Sequence, residues 1–210
     1  MPRFRAATAL ALLAALVCGG APSAARASST VGLADSWCGD GQTHLSATGN
    51  APSVHVVYAY AADQPNKLAQ YGTVIQRYLS AASDQLYASS GGALSMRWDR
   101  GSSCGPQYLD IEAVQLPHPA ASFSSAATTA DAFRQIKADL AGVLARYPAE
   151  RVLVFADGMS GGWGGRADSG TDSQPGPANA ANYGTRLAVA YGDLGAPGFF
   201  SYATAEDPMN

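Results

Sequence analysis

Few residues in this chain have the type and spacing that chemistry demands. Gly158-Met159-Ser160-Gly161-Gly162 matches G-x-S-x-G and follows an apolar run of strand type. A nucleophile elbow needs a helix at once after the serine, to present it and to build the oxyanion hole. Here Trp163-Gly164-Gly165-Arg166 follows, which is loop sequence. The hydrolase order also needs a histidine after the serine, and none occurs beyond His118. The motif therefore reads as a chance match in a Gly-rich loop, with a serine hydrolase using Ser160 as the minor alternative. The histidines are His44, His55 and His118, and no two have the i, i+4 spacing that lets one helix face hold a metal. No pair of imidazoles is expected to converge on a divalent ion beside a water-polarising carboxylate. His55 lies in a strand run and reads as a hydrogen-bonded core or face residue. His118 stands between two prolines and reads as solvated. Asp168-Ser169-Gly170-Thr171-Asp172 resembles the start of a calcium loop, but lacks its sixth-position Gly and twelfth-position Glu. A Gly/Asp-rich turn is the better reading. Asp99, Asp110 and Glu112 alternate with apolar residues and are expected on a solvated face.

These residues sit in a chain of 210, with 47% apolar and 14% charged residues. That is too apolar for a disordered protein and enough for one full-sized domain. The formal charge of −3 excludes a basic nucleic-acid binder. Val54-His55-Val56-Val57-Tyr58-Ala59-Tyr60 is a nearly continuous apolar run, which predicts a strand buried on both faces. Leu68, Tyr71, Val74, Ile75, Tyr78, Leu79, Ala82 and Leu86 recur at helical spacing, and Gly91-Gly92 ends that helix. Leu94, Met96 and Trp98 predict a half-buried strand by alternation, and Leu109 and Ile111 open another that runs towards Leu116. Phe133, Ile136, Leu140, Val143 and Leu144 mark a second amphipathic helix, with Thr129 as its cap and Pro148 as its stop. Val152 to Ala156 and Leu187 to Tyr191 read as strands, and residues 158–184 as a long surface loop. The prediction is an α/β (α+β) fold: a mixed, partly parallel sheet flanked by two helices, in the order β-α-β-β-α-β-β.

The N-terminus is an address. Arg3 and Arg5 precede an apolar stretch to Val17, and Ala25-Arg26-Ala27 offers an A-x-A cleavage site. Residues 1–27 read as a secretory signal peptide, which leaves a single globular domain at 28–210 in a secreted, extracellular protein. Val17 before Cys18 is not the small residue a lipobox wants. Beyond the signal no apolar run is long enough to span a membrane. Cleavage removes three arginines and no acid, so the mature charge is more negative still. It also removes Cys18, and leaves Cys38 and Cys104. In an oxidising compartment these form one disulfide, the rival being two buried free thiols.

One resemblance sharpens the functional reading. Trp37-Cys38-Gly39-Asp40-Gly41, then Val54 to Tyr60, then Leu109-Asp110, then Val154-Phe155-Ala156-Asp157-Gly158 form an ordered set. The set resembles secreted bacterial zincin-like zinc metallopeptidases and covers most of the mature chain. The resemblance implies a zincin-like N-terminal subdomain, followed by a helix bearing H-E-x-x-H, whose histidines bind zinc and whose Glu activates water. This sequence departs from that pattern at Ala203-Thr204-Ala205-Glu206-Asp207-Pro208-Met209-Asn210. Ala205 and Met209 occupy the histidine positions, and Glu206 that of the general base. The resemblance thus implies a metallopeptidase-like protein that is truncated or catalytically inactive as written, without the active-site helix and C-terminal part. It carries no cofactor as written, zinc being expected only in a complete family member. The alternative is a secreted, non-catalytic binding module that meets an extracellular protein or peptide through the loop carrying Trp163 and Tyr183.

Overall fold

A computed structural model describes residues 32–44, 53–126, 128–148, 151–159, 164–168 and 187–195. Seven strands and four helices follow one another among them. They are β1 (Val54–Tyr60), α1 (Leu68–Ser89), β2 (Arg100–Ser102), β3 (Gly105–Leu109), β4 (Ile111–Gln115), α2 (Ala120–Ser124), α3 (Thr129–Asp139), α4 (Ala141–Arg146), β5 (Arg151–Asp157), β6 (Gly164–Ala167) and β7 (Leu187–Gly192). Five strands form one sheet in the order β4-β1-β5-β7-β6, and β2 pairs with β3 in a separate hairpin. All neighbours in the large sheet run parallel except β6, which lies antiparallel on the edge beside β7. The mixed, mostly parallel sheet flanked by helices is the architecture expected from the sequence.

The sheet is covered on both faces, and β1 shows why its sequence is almost continuously apolar. Val56 and Tyr58 pack with Leu68, Tyr71, Ile75 and Leu79 of α1, while Val57 and Ala59 pack with Phe133 and Ile136 of α3, Leu140 at the α3–α4 junction and Val143 of α4. A parallel sheet needs such double cover. The α1 residues recur at the i, i+3, i+7 and i+11 positions that form one stripe. Asn66 Oδ1 accepts from Leu68 N at 2.9 Å where α1 begins. Beyond its end, Gly91 and Gly92 take φ of +65° and +87°, which glycine adopts without steric cost. Thr128 caps α3, its hydroxyl accepting from Asp131 N, so the cap lies one residue before the expected Thr129.

Three other expectations change. Residues 94–98 form no strand; they meet the sheet through an isolated parallel bridge between Trp98 and Val54, in which Val54 N donates to Arg97 O. The stretch from Leu109 to Leu116 is not one strand. Leu109 closes β3 of the hairpin and Ile111 opens β4 of the large sheet, with Asp110 between them. Residues 164–167, expected within a surface loop, are the edge strand β6. Alternation cannot find β6, because Gly164-Gly165-Arg166-Ala167 has no large apolar side chain.

The segment 32–44 is strapped to this framework. Buried Gln76 on α1 donates to Ala34 O and Ser36 O at 2.6 and 3.0 Å, and its Oε1 accepts from Leu109 N at 3.0 Å. Trp37 Nε1 donates to Leu109 O at 3.0 Å, with its ring lying over Gly72, where a Cβ would collide with it. Cys38 and Cys104 are joined by a disulfide across 66 positions, with a Cα–Cα distance of 5.8 Å. Ser102 Oγ donates to Cys38 O at 2.6 Å and accepts from Cys104 N at 3.1 Å. Ala113 N of β4 then donates to Gly41 O at 2.9 Å, which covers part of that sheet edge. Among the described residues, no helix is long and apolar enough to cross a membrane.

Candidate functional site

A buried cluster of histidine and carboxylate side chains lies at the N-terminal ends of β1 and β4. Val54 N donates to Arg97 O at 2.7 Å, and Asp99 N to Val54 O at 2.8 Å, so residues 97–99 lie against the start of β1. Asp110 N donates to Asp99 O at 3.2 Å, which ties the two acidic residues by their backbones. The register pairs Val56 with Ile111 and Val57 with Glu112. Continued by one residue, it brings Asp110 beside His55. The strap delivers His44: Asp40 Oδ1 accepts from Gln42 N and Thr43 N at 2.8 and 2.7 Å, a turn that ends next to Asp110.

His55 is fully buried. Its Nδ1 stands 3.0 Å from Asp99 Oδ2, and its Nε2 stands 3.2 Å from Glu112 Oε2. Carboxylates only accept, so both ring nitrogens donate and the ring is an imidazolium. Tyr147, just beyond α4, stacks on it at 3.8 Å between centroids. Arg146 of α4 pairs with the other oxygen of Glu112. His44 Nδ1 donates to Asp110 Oδ1 at 2.7 Å, its side chain 28% exposed over a carboxylate that is 2% exposed. The His44 and His55 rings meet edge-on at 5.9 Å.

The electrostatics follow from this burial and pairing. Burial works against the charge on His55. The hydrogen bonds to Asp99 and Glu112, with the fields of Asp110 and Asp99, outweigh it and raise the pKa to about 9. Burial pushes Asp110 up to about 6 against the pull of His44 and His55. Burial also opposes ionisation of Glu112, but the His55 bond and the Arg146 charge hold it below the usual range. Burial, with the Glu112 and Asp110 charges, raises Tyr147. Asp99 Oδ1 and Asp110 Oδ2 are buried and accept no hydrogen bond among the described residues. One donor atom from each of His55, Asp99 and Asp110 lies within 4.8 Å of the other two.

One expectation from the sequence is overturned here. Asp99, Asp110 and Glu112 are not on a solvated face; they are buried. Alternation implies a wet face only where one side of the sheet lacks cover, and this sheet is covered on both. The rings of His44 and His55 do meet beside carboxylates, because a parallel strand pairing and a strap bring together residues that no local spacing relates, but of the two only His55 belongs to the group whose atoms could share an ion. His55 is the hydrogen-bonded core residue it was expected to be. His118 lies apart, 47% exposed and paired with Asp139 at 3.0 Å. Asp168 pairs with Lys137 at 2.6 Å, and residues 169–172 of the calcium-like turn lie outside the described residues. So do residues 1–27, Ser160, Trp163, Tyr183, Ala205, Glu206 and Met209.

At the opposite end of the sheet, where open α/β sheets usually take ligands, the described side chains pair with one another. Asp157 at the end of β5 accepts from Tyr58 Oη at 2.8 Å and from Leu194 N at 3.3 Å, and Lys67 Nζ stands 3.6 Å away. Burial and Asp157 together raise the Tyr58 phenol, so it stays a donor.

No protein-family model and no curated protein matches the chain. Solved structures of OgpA from Akkermansia muciniphila are similar to it at low identity. One wild-type OgpA structure shows 16% identity and a TM-score of 0.42, over 74% of this chain and 43% of that one. Catalytically inactive OgpA in complex with an O-glycopeptide substrate shows 15% identity and a TM-score of 0.39, over 57% of this chain and 34% of that one. This chain thus spans less than half the length of the OgpA chains it matches.

Proposed function

We propose that this is a secreted, metallopeptidase-like protein that binds extended polypeptide and, as written, does not cut it. The observation that carries the reading is β6. It is the antiparallel edge of an otherwise parallel sheet, and among the described residues no strand pairs with its outer side. An exposed edge offers backbone donors and acceptors to an added strand. Gly165 bears no side chain to obstruct a second backbone.

The zincin-like resemblance supports a peptide as the partner. The catalytic zinc of that family finds no donor set at the matching positions. Alanine at 205 has no donor atom and methionine at 209 is a weak, soft one, so Glu206 has no metal-bound water to activate. The secretory leader pattern and the Cys38–Cys104 disulfide support an extracellular setting. A binding module that uses Trp163 and Tyr183, both outside the described residues, is the related alternative.

A fluorescent peptide of alternating valine and threonine tests it, against the same peptide N-methylated at alternate residues. Saturable binding of the first and loss with the second is the expected result. Equal binding of both would mean that no strand is added at the edge.

A further inference from the structure

We propose that His55, Asp99 and Asp110 form a binding site for one divalent cation of the zinc class, at the N-terminal ends of β1 and β4. Two buried carboxylate oxygens, Asp99 Oδ1 and Asp110 Oδ2, have no hydrogen-bond partner among the described residues, on side chains of residues only 3% and 2% exposed. Buried acceptors left without partners are costly, and folded proteins rarely leave them so. Two in one cluster, on adjacent backbones, point to a ligand that both would hold.

The donor set matches a cation. One nitrogen of His55 and one oxygen from each aspartate lie within 4.8 Å of one another. Three donors around a single ion at roughly 2.0–2.2 Å stand about 3.3–3.8 Å from one another, so atoms now within 4.8 Å must close by up to about 1 Å to share one centre. Imidazole with two carboxylates is a nitrogen and oxygen set that suits zinc better than calcium or magnesium, which take oxygen alone. The surroundings resemble those that orient metal ligands. His44 hydrogen-bonds Asp110, Glu112 bonds the second nitrogen of His55, and Tyr147 fixes the ring by stacking. The His44 side chain is partly exposed, whereas the Asp110 carboxylate that it contacts is buried. When the ion enters, the ligating His55 nitrogen gives its proton to solvent, and its lone pair takes the metal.

The test uses purified protein stripped with a chelator and titrated calorimetrically with zinc chloride, with calcium and magnesium chloride as comparisons. One zinc per chain is expected, with a rise in melting temperature that grows with zinc concentration. The ¹⁵N resonances of His55 should move on zinc addition while those of His118 stay in place. Asp110→Asn and Asp99→Asn should each abolish stoichiometric binding, and His118→Ala should preserve it. Absence of stoichiometric zinc in the parent protein would overturn the proposal. Zinc that binds without moving His55, or binds both asparagine variants as tightly as the parent, would also overturn it. Peptide binding at β6 is read separately and can fail or succeed independently.

Discussion

His55 and Asp99 stand 44 residues apart in the chain, yet Nδ1 of one lies 3.0 Å from Oδ2 of the other, inside the fold. Their contact exists because residues 97–99 run against the start of β1, with Asp99 N bonded to Val54 O. A charge is thereby held in the core between two carboxylates.

Breaking that arrangement from one side should be severe. His55→Leu keeps similar bulk but leaves Asp99 and Glu112 buried without their shared cation. A loss of about 3–5 kcal/mol is expected, read as a lower urea midpoint at an unchanged slope. Arg134→Ala breaks only the exposed Asp131 pair on α3, and should leave the midpoint almost where it was.

Stability of chelator-treated protein should fall on the alkaline side. The His55 pKa is raised from 6.5 to about 9, so its contribution is complete below about 6.5 and is lost as the pH rises towards 9. Glu112 is lowered, so its contribution is present above 4.5 and is lost on acidification. Asp110 acts with the opposite sign. Raised from 3.8 to about 6, it takes up its proton more readily in the folded state, so its contribution declines as pH rises across that interval. Melting temperatures between pH 6.5 and 9 should therefore decline, and the decline should be shallower in His55→Leu.

The disulfide closes a long loop. Its removal by Cys38→Ser with Cys104→Ser should cost about 4 kcal/mol if it acts chiefly on the unfolded chain. Urea unfolding of the parent, with and without reductant, checks this. A reduced parent as stable as the oxidised one would mean that the Gln76 and Trp37 hydrogen bonds hold the strap without the bridge.

Much of the framework was legible because it depends on local pattern. The apolar runs of β1, β5 and β7, the Leu68–Ser89 stripe and the Gly91-Gly92 stop are each written within a few residues. The strand β6 was not legible, since two glycines, an arginine and an alanine carry no periodic signal. The buried cluster was misread for a different reason. Leu109-Asp110-Ile111-Glu112 has the same alternation whether its polar face meets water or meets Arg146 and Tyr147, and only the packing of α4 decides between them. The histidine in an otherwise apolar β1 was the one available signal. A buried His needs partners, and the acids of the chain were the residues to search.

The central claim is binding without cleavage, and fluorescein-labelled casein measures both in one sample. The account predicts that polarisation rises saturably with protein concentration while no acid-soluble fluorescence is released. Release of soluble fluorescein that a chelator abolishes would contradict it.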